Sequence, residues 1–156
     1  MLLVYFDLDG VLFDLDLEYN LRFGHSARKA DGSVFWPKVK TVPDFFRNLP
    51  LMPGAMDLWN AVPPERRRIL SAVARSIPEC ATQKREAVHT HFDIPDEHIH
   101  LVEGREKKKE FCRPGDFLID DREDNIEEWV EAGGTGLLYT PARHSVLVEY
   151  LGRLMA

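Results

Sequence analysis

LLVYFDLDGVL, residues 2–12, decides how the rest of the chain is read. Leu2 to Phe6 form an unbroken apolar run with no alternation, the pattern of a strand buried on both faces. Two carboxylates, Asp7 and Asp9, follow at once, and Gly10 comes next. Acids at i and i+2 would be costly inside a sheet. At the C-terminal end of a strand they reach the crevice where open α/β sheets bind their ligands. Gly10 then allows the chain a sharp turn. Taken alone, this string also fits a solvated turn.

Working outward, short apolar runs alternate with amphipathic stretches. Strands are expected at Leu2–Phe6, Arg68–Ala72, His98–Val102, Asp116–Ile119 and Gly136–Tyr139. Helices are expected at Ala55–Val62, Pro78–His91, Arg105–Phe111, Arg122–Ala132 and Ala142–Leu154. That order implies an α/β fold: a Rossmann-like parallel sheet with helices on both faces. Residues 14–52 break the alternation. They set Tyr19, Phe23, Phe35, Trp36, Phe45 and Phe46 among Asp, Gly and Pro, with helices expected near Leu15–Phe23 and Val42–Leu49. This reads as a small cap inserted after the first strand of a single domain spanning 1–156.

A second acid pair strengthens the first. Leu118-Ile119 runs into Asp120-Asp121-Arg122. Alone, that pair fits a helix start, where acids favour the dipole. In a parallel sheet, however, both strands end on the same side, so the two pairs would share one crevice. Acids packed this closely repel one another, and a divalent cation is the usual remedy. Ser71, at the end of another expected strand, offers a hydroxyl to a phosphate oxygen. In the run Lys107-Lys108-Lys109 two lysines read as solvated, and one could turn inward to neutralise the phosphate and the acids.

Composition narrows the classes. The chain has 156 residues, 44% hydrophobic and 29% charged, with a net charge of −6. An acidic surface argues against a long nucleic-acid partner. Cys80 and Cys112 have no metal-binding spacing and read as reduced thiols. No apolar run approaches the ~20 residues of a membrane helix, and the N-terminus lacks a signal-peptide pattern. No membrane partner is expected, and a cytoplasmic location is.

At this point the chain resembles the haloacid-dehalogenase-like hydrolase superfamily. Its four motifs fall in order at Asp7–Asp9, Ser71, a lysine among 107–109, and Asp120–Asp121. Within that superfamily the chain is most similar to the small-cap 5′-nucleotidase, deoxyribonucleotidase-like, branch. The likeness lies in Pro114-Gly115-Asp116-Phe117-Leu118-Ile119-Asp120-Asp121-Arg122, then Asn125-Ile126, Trp129 and Gly133-Gly134, and in Leu51-Met52-Pro53-Gly54-Ala55 before Leu58-Trp59. It spans nearly the whole chain. It implies a magnesium-dependent phosphomonoester hydrolase acting on nucleoside (deoxy)monophosphates, small phosphorylated substrates. Asp7 would attack phosphorus to form an aspartyl-phosphate, and Asp9 would serve as acid and then base. Mg2+ would be held by Asp7, the Asp9 carbonyl, and Asp121 or Asp120. Ser71, Lys108 and the amides of Leu8 and Gly10 would bind the phosphate.

Other readings remain at this level. A sugar-phosphate or polynucleotide-end phosphatase would carry the same motifs, and so would an inactive phosphatase-like binding protein. A receiver domain would order its acids and lysine differently. His89, His91, His98 and His100 read as solvated or capping residues rather than a zinc site. Arg66-Arg67-Arg68 reads as a solvated edge. Asp124 fits a helix start as well as a metal shell. Phe35, Trp36, Phe45 and Phe46 are either a small core or a platform for a base.

Overall fold

The structure, a computed structural model, describes residues 1–156. Five parallel strands form one sheet: β1 (Val4–Phe6), β2 (Arg67–Ala72), β3 (Ile99–Val102), β4 (Phe117–Asp120) and β5 (Thr135–Leu138), in the order β3-β2-β1-β4-β5. Each strand lies within about two residues of its expected place. Six helices complete the layers: α1 (Leu15–Phe23), α2 (Trp36–Val39), α3 (Ala55–Asn60), α4 (Cys80–His91), α5 (Glu123–Glu131) and α6 (His144–Met155).

The strand residues alternate between two apolar layers, as the pleat requires. Val4, Phe6, Ile69, Phe117 and Ile119 join the larger core with Leu58 and Trp59 of α3, Ala87 and Val88 of α4, and Leu147 and Leu151 of α6. Leu3, Tyr5, Leu70, Val102 and Leu118 face the other way and pack with Trp129 of α5. Helices therefore cover both faces. Asp116 pins the entry of the two central strands. Its carboxylate accepts from the Leu3 amide at 2.9 Å, and its carbonyl accepts from the Trp129 indole at 2.9 Å.

The strand order places the topological switch between β1 and β4. From β1 the chain builds outward through β2 and β3, then returns to the opposite side of β1 as β4. The loops that leave β1 and β4 diverge there and open a crevice at the strands' C-terminal ends. Phe6 is in register with both Ile69 and Ile119. Asp7 thus comes level with Asp120, and Ser71 lies two residues further along β2.

Two expectations are corrected. Val42–Leu49 is a series of turns rather than a helix: Pro43 interrupts it and Asp44 takes a positive φ of 57°, which breaks a right-handed helix. Arg105–Phe111 is a 3₁₀ helix, not an α-helix. The short α2, with Pro37 in its first turn, was not expected. No helix is long and apolar enough to cross a membrane.

Candidate active site

Asp7 leaves β1 with its amide bonded to the Ile119 carbonyl at 3.0 Å, so the sheet itself fixes where its side chain starts. Its carboxylate meets those of Asp120 and Asp121, with ligand oxygens all within 4.8 Å of one another. These three are the residues able to hold a metal ion. The histidines do not converge: His89 pairs with the exposed Asp96, His91 packs on Phe13, and His100 packs on Tyr5 and Phe111.

Of the three consecutive lysines, Lys108 is the one turned inward. It is buried, while Lys107 and Lys109 are exposed. Its ammonium lies 3.1 Å from Asp7 Oδ1 and 2.7 Å from Asp120 Oδ2. Burial pulls its pKa down, but the attraction of Asp7 and Asp120 outweighs that and leaves it raised.

The two acids at the end of β4 differ in what they touch. Asp120 is fully buried. Its Oδ2 accepts from Lys108 and from the Asn125 amide at 3.0 Å, and its Oδ1 accepts from the Arg122 amide at 2.9 Å. Three of its roughly four lone-pair positions are therefore taken. Asp121 has only the Arg28 guanidinium, at 3.5 Å. Burial and the negative charges of Asp7 and Asp120 push its pKa well above the usual carboxylate range. Asp124 is occupied elsewhere, with Arg122 at 2.8 Å and Arg105 at 3.2 Å.

The loop after Asp7 turns tightly, with the amides of Val11, Leu12 and Phe13 all converging on the Leu8 carbonyl. The Gly10 amide, expected to bind phosphate, instead donates to the Phe13 carbonyl at 2.9 Å. That expectation is corrected to a conformational role. Gly10 has a φ of 84°, and a Cβ there would lie 2.3 Å from Asp121 Oδ2. The amides of Leu8 and Asp9 make no hydrogen bond within the chain. The Asp9 carbonyl likewise accepts none.

One site residue was not expected from the sequence. Lys84 of α4 is buried, and its ammonium reaches Asp9 Oδ2 at 2.9 Å, Ser71 Oγ at 3.0 Å and the Ala72 carbonyl at 2.8 Å. A signal for it did exist. Cys80, Lys84, Ala87 and Val88 share one helical face at spacings of four, seven and eight, which sets a lysine on the inward stripe of α4.

A cavity of about 480 Å³ is lined by Asp7, Asp9, Ser71, Lys108 and Asp121 together with Arg28, Val34, Trp36, Arg75 and Arg105. Of the four aromatics considered for base stacking, only Trp36 lines it. Phe45 and Phe46 are core residues at 2% exposure, and Phe35 is exposed without reaching the cavity.

Residues 1–146 match the model of the family described as 5′ nucleotidase, deoxy (pyrimidine), cytosolic type C protein (NT5C). The chain belongs to this family. It is thereby a phosphatase of the 5′-nucleotidase type within the haloacid-dehalogenase-like superfamily. No curated protein sequence matches the chain. Among solved structures, the L-2-haloacid dehalogenase from Xanthobacter autotrophicus superposes with a TM-score of 0.53 at 14% identity, covering 100% of this chain and 85% of that one. A HAD hydrolase of family IA, variant 3, from Entamoeba histolytica gives 0.46 at 13% identity, covering 96% and 100%. At that identity the dehalogenase likeness speaks for the fold, and the nucleotidase family speaks for the class of enzyme.

Proposed function

We propose that this nucleotidase is a magnesium-dependent phosphomonoester hydrolase of nucleoside (deoxy)monophosphates that works through an aspartyl-phosphate on Asp7. The observation that carries this reading is the division of labour at the switch point. Lys108 bridges Asp7 and Asp120, while Asp121 is left almost without partners.

The acidic cluster suits a hard divalent cation, because its donors are all oxygens. Asp7, Asp121 and the Asp9 carbonyl would hold it, with Asp120 occupied in orienting Lys108. When bound, such an ion supplies charge neutralisation for the nucleophile and the phosphate.

The chain's own residues do the rest. A carboxylate oxygen of Asp7 attacks phosphorus, and the bond from phosphorus to the ester oxygen breaks. Asp9, as general acid, gives a proton to that departing oxygen and leaves an alcohol. Asp9, now a carboxylate, takes a proton from a water whose oxygen attacks the phospho-aspartate. Inorganic phosphate leaves and Asp7 is restored. Lys108, the Ser71 hydroxyl and the free amides of Leu8 and Asp9 would meet the equatorial oxygens, where stabilisation matters most in phosphoryl transfer.

Residues 14–52 act in this reading as a cap, presenting Trp36 to the base. The family description, with its deoxy and cytosolic terms, supports a deoxynucleotide substrate and a cytoplasmic setting. The test is phosphate release from deoxyribonucleoside monophosphates, ribonucleoside monophosphates and sugar phosphates, with magnesium and after exhaustive chelation. Release from nucleotides that stops on chelation and returns with magnesium is expected. Undiminished release without divalent cation would overturn the mechanism, and equal kcat/KM across the three classes would overturn the substrate.

A further inference from the structure

Asp9 has two carboxylate oxygens in unlike surroundings. Oδ2 accepts from Lys84 at 2.9 Å. Oδ1 is buried and has no hydrogen-bond partner. An orphaned buried acceptor is costly, and the cost is tolerable where a proton is to be exchanged. The ammonium opposite is fully used. A lysine has three N–H donors, and Lys84 spends them on Asp9 Oδ2, Ser71 Oγ and the Ala72 carbonyl, all within 3.0 Å. It has no donor left for a substrate oxygen, so it is not a second phosphate-binding lysine.

From this geometry we infer that Lys84 is the positioning residue for Asp9: by pinning Oδ2 it fixes the carboxyl group that moves the proton to and from the reacting oxygens. The assignment rests on the phosphatase reading above and adds a residue to it. A second effect follows from the same contact. By occupying a lone pair of Ser71 Oγ, Lys84 turns the Ser71 hydrogen away from itself, so that it can be donated to a phosphate oxygen. The pin is shielded from water. Lys84 is 3% exposed, and its ammonium lies 5.5 Å from the centre of the Phe46 ring. Its neighbour Gln83, also buried, accepts from the Phe46 amide at 3.1 Å. Two successive polar residues of α4 therefore hold the acid on one side and residues 14–52 on the other.

The discriminating measurement is leaving-group dependence in Lys84→Met. A nucleoside alkoxide needs a proton as it departs, whereas p-nitrophenolate leaves without one. Because kcat/KM reports the steps through phosphorylation of Asp7, it should fall about 100-fold or more for a deoxynucleoside monophosphate. It should fall less than about 10-fold for p-nitrophenyl phosphate. Hydrolysis of the phospho-enzyme still needs Asp9 as base, so p-nitrophenolate should appear as a burst. In an Asp9→Asn background, Lys84→Met should cost little more, as expected for residues acting as a unit. Lys84→Gln retains two donors, and the same comparison is made with it if the methionine variant does not fold. Equal losses on both substrates, or a full additional loss in the Asp9→Asn background, would overturn the positioning role. A wild-type enzyme that hydrolyses neither substrate with magnesium would instead refute the underlying phosphatase reading.

Discussion

Replacing Lys108 with methionine removes the one cation lodged between two buried acids while keeping the length of the side chain. Its ammonium lies 3.1 Å from Asp7 and 2.7 Å from Asp120. At an effective dielectric of about 20, either contact corresponds to about 5–6 kcal/mol of attraction. The buried ammonium no longer has to be desolvated in the variant, and the acids can take up a proton. The net loss should therefore be about 3–5 kcal/mol, the usual result of breaking a buried pair from one side. With a urea m-value of about 2 kcal/mol/M, the midpoint should fall by about 1.5–2.5 M in ion-free buffer at neutral pH. Adding magnesium should restore more stability to the variant than to the wild type, because the variant's site is more negative and ligand binding stabilises the folded state by mass action. Turnover should nonetheless fall about 100- to 1,000-fold, as when a donor aimed at developing charge is lost. The assay is urea unfolding followed by circular dichroism, with and without magnesium, beside steady-state phosphate release. A midpoint shift below about 0.5 M, or a smaller magnesium effect in the variant than in the wild type, would refute the reasoning.

Asp7→Asn should abolish phosphate release with an unchanged circular dichroism spectrum, because an amide cannot attack phosphorus; more than a few per cent of remaining activity, on the scale of such losses, would exclude a covalent role for Asp7. The raised pKa of Asp121 means the folded chain binds more protons than the unfolded one, so ion-free stability should fall as pH rises from 3.8 through the raised value. Asp121→Asn should remove that component in pH-dependent unfolding, and a pH–stability curve unchanged by the substitution would exclude the group. Trp36→Ala should lower kcat/KM for nucleotides relative to sugar phosphates by roughly 5- to 150-fold, the value of ~1–3 kcal/mol of stacking, and an unchanged ratio would mean that Trp36 does not read the base.

The parts of this protein that were legible in the sequence are those that local chemistry marks. Strands buried on both faces leave unbroken apolar runs, and β1, β2 and β4 are found wherever such a run ends at a polar group in the crevice. The acid pairs stood out because carboxylates directly after a buried strand are costly unless a ligand or ion in the crevice offsets their charge. What the sequence left open are differences that arise only from packing across distant segments. Lys107, Lys108 and Lys109 look alike in the chain. Only the docking of the 3₁₀ turn against α5 and β2 selects the middle one. Asp120 and Asp121 are likewise equivalent until Asn125 and the Arg122 amide take up the first. Phe45 and Phe46 looked like candidates for a ligand surface, yet they are buried against α4 and the rest of the core. Lys84 was missed because a lysine in a mostly polar helix reads as solvated unless its face is weighed against Cys80, Ala87 and Val88.

The charges at the switch point explain why these residues occur together. Asp7, Asp9, Asp120 and Asp121 bring four carboxylates, while Lys84 and Lys108 bring two buried ammoniums. Each lysine is committed: Lys84 to Asp9, and Lys108 to Asp7 and Asp120. With every acid ionised the floor of the cavity would carry two uncompensated negative charges, concentrated around Asp7 and Asp121. A phosphomonoester dianion could not approach such a floor against Coulomb repulsion. Arg28 does not resolve the conflict, because it is held bidentately by Asp16 at 2.8 and 2.9 Å and stands 3.5 Å from Asp121. One divalent cation, as proposed above, would bring the floor to neutrality. A monovalent ion would leave one of the two negative charges unbalanced and Asp7 partly repelled by Asp121, so the proposed divalent ion suits this charge count better than a monovalent one.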